Sequence, residues 1–118
     1  MAIQKFEDII AWQKAQDLAV DVYSEFRYLK DYGFRDQICR ASVSVSNNIA
    51  EGFDRNSDAD FARFLYFAIP SCSEVRSMVY LAVRLEYISN ERKIDLLSKS
   101  EEVSRIIRGL IKSIAKPQ

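Results

Sequence analysis

The chain has 118 residues, 48% hydrophobic and 29% charged, with three Gly, two Pro, two Cys and no His. That length suffices for one domain with its own core, and the scarcity of turn formers excludes a strand-and-turn architecture in favour of long helices on short links. Basic and acidic residues number 17 each, so no whole-molecule field draws the protein to nucleic acid or membrane, and any such attraction has to come from local segregation of charge.

Four apolar-periodic segments follow in order. The first runs from about Phe6 to Leu29, where Trp12, Ala15, Ala19, Val22 and Phe26 recur at steps of three and four and make one helical face. It ends in Lys-Asp-Tyr-Gly, with Gly33 available for a left-handed stop. The second runs from about Phe34 to Glu51 and stops at Gly52. After the polar link Phe-Asp-Arg-Asn-Ser-Asp, the third begins with Ser57 or Asp58 as cap, carries acids in its first turn and continues to about Ile88. Ser-Asn-Glu at 89–91 caps the fourth, a helix over 91–115 ahead of Pro117. Such short links force neighbours to run antiparallel. The predicted fold is therefore all-α, an antiparallel up-down-up-down four-helix bundle in a single domain spanning 1–118.

The middle two helices carry more apolar and small surface than one buried stripe needs. In the second, Ile38, Ala41, Ser42, Val45, Ile49 and Gly52 share one face, while Cys39, Val43, Ser46, Ala50 and Phe53 share another about 100° away. Only Arg40, Ser44, Asn47 and Glu51 remain for water or a polar partner. In the third, Phe61, Phe64, Leu65, Ala68, Cys72, Val75, Val79 and Ala82 make one face, and Phe67, Met78, Leu81, Leu85 and Ile88 make another. Excess of this kind on adjacent helices predicts a homo-oligomer. The Ser, Ala and Gly side chains of 40–53 then serve close helix packing, with Asn47 and Asn48 bonding across helices and Arg40 reaching Glu51 or Glu74 of a neighbouring copy.

Little catalytic chemistry is available. Without His there is no Ser-His or Cys-His pair and no imidazole base, and no glycine-rich phosphate loop occurs. Cys39 and Cys72 lack CxxC spacing and read as reduced thiols packed as small apolar groups. No metal or cofactor is expected, and the chain reads as a non-enzyme. A leader pattern and apolar runs of about 18 residues are both absent, which points to a cytoplasmic protein with no membrane partner.

One charge pattern stands out. From Val103 onward the sequence holds Arg105, Arg108, Lys112 and Lys116 and no acid. At about 100° per residue these four fall within a stripe about 80° wide, opposite Val103, Ile107, Leu110 and Ile114. Such a rail suits backbone phosphates. Residues 1–60 carry a net charge of −4 and residues 61–118 of +4, so charge is segregated along the chain.

The block Arg-Ala-Ser-Val-Ser-Val-Ser-Asn-Asn-Ile-Ala-Glu-Gly at 40–52 fits the pattern R-A-x-x-S-I/V-x-x-N-I-A-E-G. With Trp12-Gln-Lys-Ala15, FARFLYFA at 61–68 and Ser-Cys-Ser-Glu at 71–74, it resembles the four-helix-bundle proteins encoded in intervening sequences of bacterial 23S ribosomal RNA genes. The resemblance spans nearly the whole chain and implies a small all-α protein assembled as a ring, a homopentamer, with no enzymatic role. The fold is also similar to that of the accessory variability protein of diversity-generating retroelements, a basic pentamer associated with nucleic acid and a reverse transcriptase. By this resemblance Arg40, Ser44, Asn47, Asn48, Glu51, Gly52 and Glu74 form the signature and oligomer-interface set. One departure is Ile-Pro-Ser-Cys at 69–72, where relatives more often place Gly before the Ser, and Pro70 predicts a kink in the third helix. The expected function is association with RNA, the ribosome or another nucleic acid through Arg105, Arg108, Lys112 and Lys116. The alternative is an oligomeric scaffold that binds a partner protein and no nucleic acid.

Overall fold

A computed structural model describes residues 3–115. Its elements are a single 3-10 turn, Phe6–Asp8, and four α-helices: α1 Ile10–Phe26, α2 Tyr32–Phe53, α3 Asp58–Arg84 and α4 Asn90–Ala115. Each helix packs on two neighbours, α1 on α2 and α4, α3 on α2 and α4, and neither diagonal pair touches. The result is the expected up-down-up-down bundle, 50 × 21 × 19 Å. Its axis is filled by Leu18 and Val22 of α1, Ile38, Val45 and Ile49 of α2, Leu65, Val75 and Val79 of α3, and Leu96, Val103 and Ile107 of α4, all fully buried.

The helix ends differ from the sequence reading for local reasons. Instead of starting α1, Phe6 lies in the 3-10 turn and sets its ring edge-on to Trp12, centroids 5.3 Å apart, so α1 begins only at Ile10. It ends at Phe26 rather than Leu29. α2 begins at Tyr32, ahead of Phe34, because the Asp31 carboxylate accepts the Phe34 N–H at 3.1 Å and caps the helix. Gly33 is therefore helical, not a left-handed stop, and α2 runs past Gly52 to Phe53. The left-handed residues are Asn56, φ 68°, and Glu86, φ 63°.

Glu86 ends α3 four residues short of Ile88. Its N–H donates to the Val83 carbonyl at 2.9 Å and the Tyr87 N–H to the Ala82 carbonyl at 2.8 Å, the double bond pattern of a Schellman cap. Ser57 caps the start of α3 through the Asp60 N–H, and the Ser89 hydroxyl accepts the Arg92 N–H at the start of α4, which begins at Asn90. Pro70 lies on the solvent side of α3, and the helix continues on both sides of it. There the missing N–H leaves the carbonyl of Tyr66, an exposed residue, without its helical donor on the solvent side.

Candidate nucleic-acid interface

Periodicity puts Val103, Ile107 and Ile111 of α4 in the core, and the bundle thereby turns Arg105, Arg108 and Lys112 outward, all exposed. Lys116 lies outside the described residues. The three cations line a groove of about 500 Å³ between α3 and α4, floored by Ser104 and Gly109, with Glu101 at one edge. A fourth cation joins them from α3. Arg76 lines the same groove, half-buried, and its Nε has no hydrogen-bond acceptor. Arg76 and Arg108 both lie close enough to Cys72 to favour its thiolate electrostatically, although burial dominates and pushes that thiol up to about 11. Among the described residues none of the four cations is paired with a carboxylate.

The α1–α4 seam is the opposite case. Lys99 bonds Asp21 and lies 3.4 Å from Asp95, Arg92 bridges Glu25 and Asp95, and Lys14 stands 4.0 Å from Glu102. The Asp21 contact keeps the Lys99 ammonium protonated above its usual range, and Glu25 does the same for the Arg92 guanidinium. Charge on that side is used inside the chain. Among the described residues the cations on the α3–α4 side make no ion pair.

The block at 40–52 holds α2 to its neighbours. Ser42 and Ser46 are fully buried, and their hydroxyls donate back to the Cys39 and Val43 carbonyls. Ser46 also accepts from the Gln16 amide of α1 at 2.9 Å. Toward α3, the Ser71 hydroxyl donates to Ser44 at 3.0 Å and the Gln37 amide to Glu74 at 3.1 Å. Asn48 does not bond across helices as expected: its amide returns to the Ser44 carbonyl and hydroxyl within α2. Asn47 is exposed. Glu51 lies 3.4 Å from Arg55, while Arg40 is exposed beside Glu74 without an ion pair among the described residues. Gly52 is the tightest point of the block. A Cβ there would sit 2.5 Å from the Phe64 Cβ, so the missing side chain is what lets α2 and α3 close.

The expected surplus of apolar surface is only partly present. The two faces of α2 pack on α3 and α1 within one chain, leaving Val43, Ala50 and Phe53 half-buried. On α3 Met78 is buried, as is Ile88 beyond its end, but Phe67 and Leu81 remain exposed together with Tyr66, Tyr80 and the C-cap Leu85. Of the two middle helices, α3 is therefore the one that leaves an apolar face open, while single exposed apolar residues such as Val20 and Ile94 stand on α1 and α4. Among the described residues no group of three or more His, Cys, Asp or Glu is placed to hold a metal ion, and no helix is long and apolar enough to cross a membrane.

A model of the 23S rRNA-intervening sequence protein family matches residues 7–109. The chain belongs to that family. A solved structure similar to this 23S rRNA-intervening sequence protein is a protein with unknown function from the S23 ribosomal protein family of Bacteroides thetaiotaomicron. It is 27% identical with a TM-score of 0.82, over 87% of this chain and 99% of that one. No curated protein matches the chain. The family span contains the whole 40–52 block, Arg76, Arg105 and Arg108, and ends before Lys112. Neither the family description nor the solved relative's indicates catalysis.

Arg76 is the member of the groove that sequence reasoning missed. It is the only base between Arg63 and Arg84 on α3, a signal that gains meaning only once α3 is known to flank the basic face of α4.

Proposed function

We propose that this protein is a non-catalytic, cytoplasmic homo-oligomer that holds structured RNA by its backbone phosphates in the α3–α4 groove. The observation that carries the reading is the convergence of Arg76, Arg105, Arg108 and Lys112 on one groove with, among the described residues, no carboxylate paired to any of them. Unpaired guanidinium and ammonium groups beside a shallow groove favour a polyanion, and contacts of this kind fix position without reading sequence. The family's link to ribosomal RNA genes favours RNA over other polyanions.

Self-association supplies what a single shallow groove lacks. Between Arg63 and Arg84 the outward residues of α3 are Tyr66, Phe67, Pro70, Ser73, Ser77, Tyr80 and Leu81, and the one acid among them, Glu74, is engaged by Gln37. That face is about 22 Å long at ~1.5 Å per residue and carries almost no charge. Covered by a second copy, with Arg40 and Asn47 at its rim, it builds the ring that the family resemblance implies. Repeated grooves on one ring then convert weak phosphate contacts into avidity.

The test is a salt titration of binding to a short RNA duplex. About four phosphate contacts give a slope of roughly −3 to −4 in log affinity against log salt, and Arg105→Glu with Arg108→Glu should flatten it by about 2. Equal binding by parent and double variant sinks the reading. A scaffold that binds only protein is favoured by the same α3 face. It predicts that Phe67→Asp with Leu81→Asp abolishes assembly while no salt-sensitive RNA binding exists to lose.

A further inference from the structure

On the opposite side of the bundle, α1 and α2 enclose a second groove, of about 530 Å³, lined by Tyr23, Arg27, Arg35, Asp36, Cys39 and Arg40 among others. Three guanidiniums face one carboxylate, Asp36, which pairs with Arg35 at 2.9 Å and leaves a local charge of +2. Burial raises the Cys39 thiol, so the floor supplies no nucleophile at neutral pH. Beside the groove stand two aromatic rings that the fold leaves in water: Tyr28 is 85% exposed and Tyr32 61%. Each carries an arginine of the groove. The Arg35 guanidinium lies 4.8 Å from the Tyr32 ring centroid and that of Arg27 6.0 Å from the Tyr28 ring.

The contrast with Tyr87 is informative. Tyr87, at the same end of the bundle, is fixed by a 2.7 Å bond from its hydroxyl to Asp31 and by edge-on packing against Phe34. Tyr28 and Tyr32 have only a cation on one side, so a second planar group can cover the open ring. Cations for the backbone beside free aromatic faces for the bases are the two requirements of a surface for unpaired nucleotides, whereas a duplex keeps its bases stacked inside.

We propose that the α1–α2 corner is a second nucleic-acid surface, distinct from the α3–α4 groove, which takes single-stranded RNA or DNA by stacking bases on Tyr28 and Tyr32 while Arg27, Arg35 and Arg40 hold the phosphates. It shares a ligand class with the reading above, and its test is separable from that one. The full chain is titrated at low salt with fluorescently labelled oligoadenylate and, separately, with a duplex. Tyr28→Ala with Tyr32→Ala should weaken oligoadenylate binding at least tenfold, from a stacking loss of about 1–3 kcal/mol per base, and leave duplex binding unchanged. Tyr28→Phe with Tyr32→Phe keeps the rings and should keep the affinity. Arg105→Glu with Arg108→Glu should do the reverse, reducing duplex binding and sparing most of the oligoadenylate affinity. Both tyrosines are exposed, so circular dichroism should show the alanine variant folded as the parent is. The corner is overturned if the alanine variant binds oligoadenylate as the parent does, or if the parent binds duplex but no single strand, in which case a protein partner becomes the better occupant. A parent that binds the single strand in a tyrosine-dependent way but ignores duplex overturns the α3–α4 groove and leaves the corner standing.

Discussion

Replacing Gly52 with alanine adds one methyl group at the closest approach of α2 and α3. In the native packing that carbon would lie 2.5 Å from the Phe64 Cβ, 3.2 Å from its Cγ and 3.4 Å from the Phe61 Cδ1. Carbon atoms in contact prefer about 3.5–4.0 Å, so the shortfall is about 1 Å. A Cβ cannot swing aside as a side-chain tip can, and Phe64 is held further by Arg55 and Arg63 against its ring and by Phe67 edge-on to it. Relief therefore has to come from separating the helices. Overpacking of this kind costs about 1–3 kcal/mol, and the position favours the upper end. Alanine next to the last residue of α2 returns at most about 1 kcal/mol of propensity, which leaves a net loss of roughly 2 kcal/mol. Gly109 supplies the control, because a Cβ there meets nothing within 4 Å. Gly109→Ala should therefore stabilise by up to about 1 kcal/mol. At about 4 °C per kcal/mol the two variants should move Tm in opposite directions, together about 12 °C apart in thermal unfolding followed by circular dichroism. Shifts of the same sign would refute the packing account of Gly52.

Glu86 holds a left-handed backbone that costs a residue with a Cβ about 1 kcal/mol, so Glu86→Gly should raise Tm by about 4 °C; a fall would mean that its side chain does more for the cap than the structure indicates. The Asp31 carboxyl is held below its ordinary value of 3.8 first by the Tyr87 hydroxyl and then by the Phe34 N–H. A depressed folded pKa stabilises fully above the unfolded carboxylate range and ceases to do so as pH falls through the folded value. Asp31→Asn should accordingly flatten the loss of stability below about pH 4, and an unchanged acid limb would remove Asp31 from that account. Arg76→Met should cut the salt dependence of duplex binding by about one contact while leaving the fold intact, measured on the same titration as the Arg105 and Arg108 variants; an unchanged slope would place Arg76 outside the groove's function.

What the sequence could and could not disclose follows from the range of each signal. A 3.6-residue period places side chains around a helix axis without reference to anything else, which is why the core and solvent faces of α4 emerged with Ile107 inside and Arg105 outside. Caps act over three residues, and those at Ser57 and Ser89 were legible for that reason. Gly33 was misread because α1 ends earlier, at Phe26, and the Asp31 cap starts α2 at Tyr32, which puts Gly33 inside a helix and leaves no turn for a glycine to make. The second face of α2 was misread for a similar reason. Periodicity shows that Cys39 and Ser46 require cover, but not that α1 of the same chain provides it through Gln16. Arg76 stayed hidden because its meaning depends on which helix lies beside it.

A basic stretch at the end of a helix has a simpler explanation than phosphate binding, since cations near a C-terminus interact favourably with the helix dipole. That account covers Lys112, in the last turn of α4. It does not extend to Arg76, eight residues before the end of a different helix, with a buried Nε that finds no acceptor. An unmet guanidinium N–H away from water is costly, whereas in the α1–α4 seam even the partly exposed Arg92 and Lys99 are paired with carboxylates. In the α3–α4 groove the nearest acid, Glu101, makes no ion pair with any of the four cations. A phosphate bound as proposed would meet the exposed Arg105, Arg108 and Lys112 and share the positive field of Arg76, whose enclosed Nε contributes charge and not a direct bond. The dipole explains where one cation sits; a polyanion bound as proposed would account for two helices from different parts of the chain bringing cations to one groove where, among the described residues, none is paired.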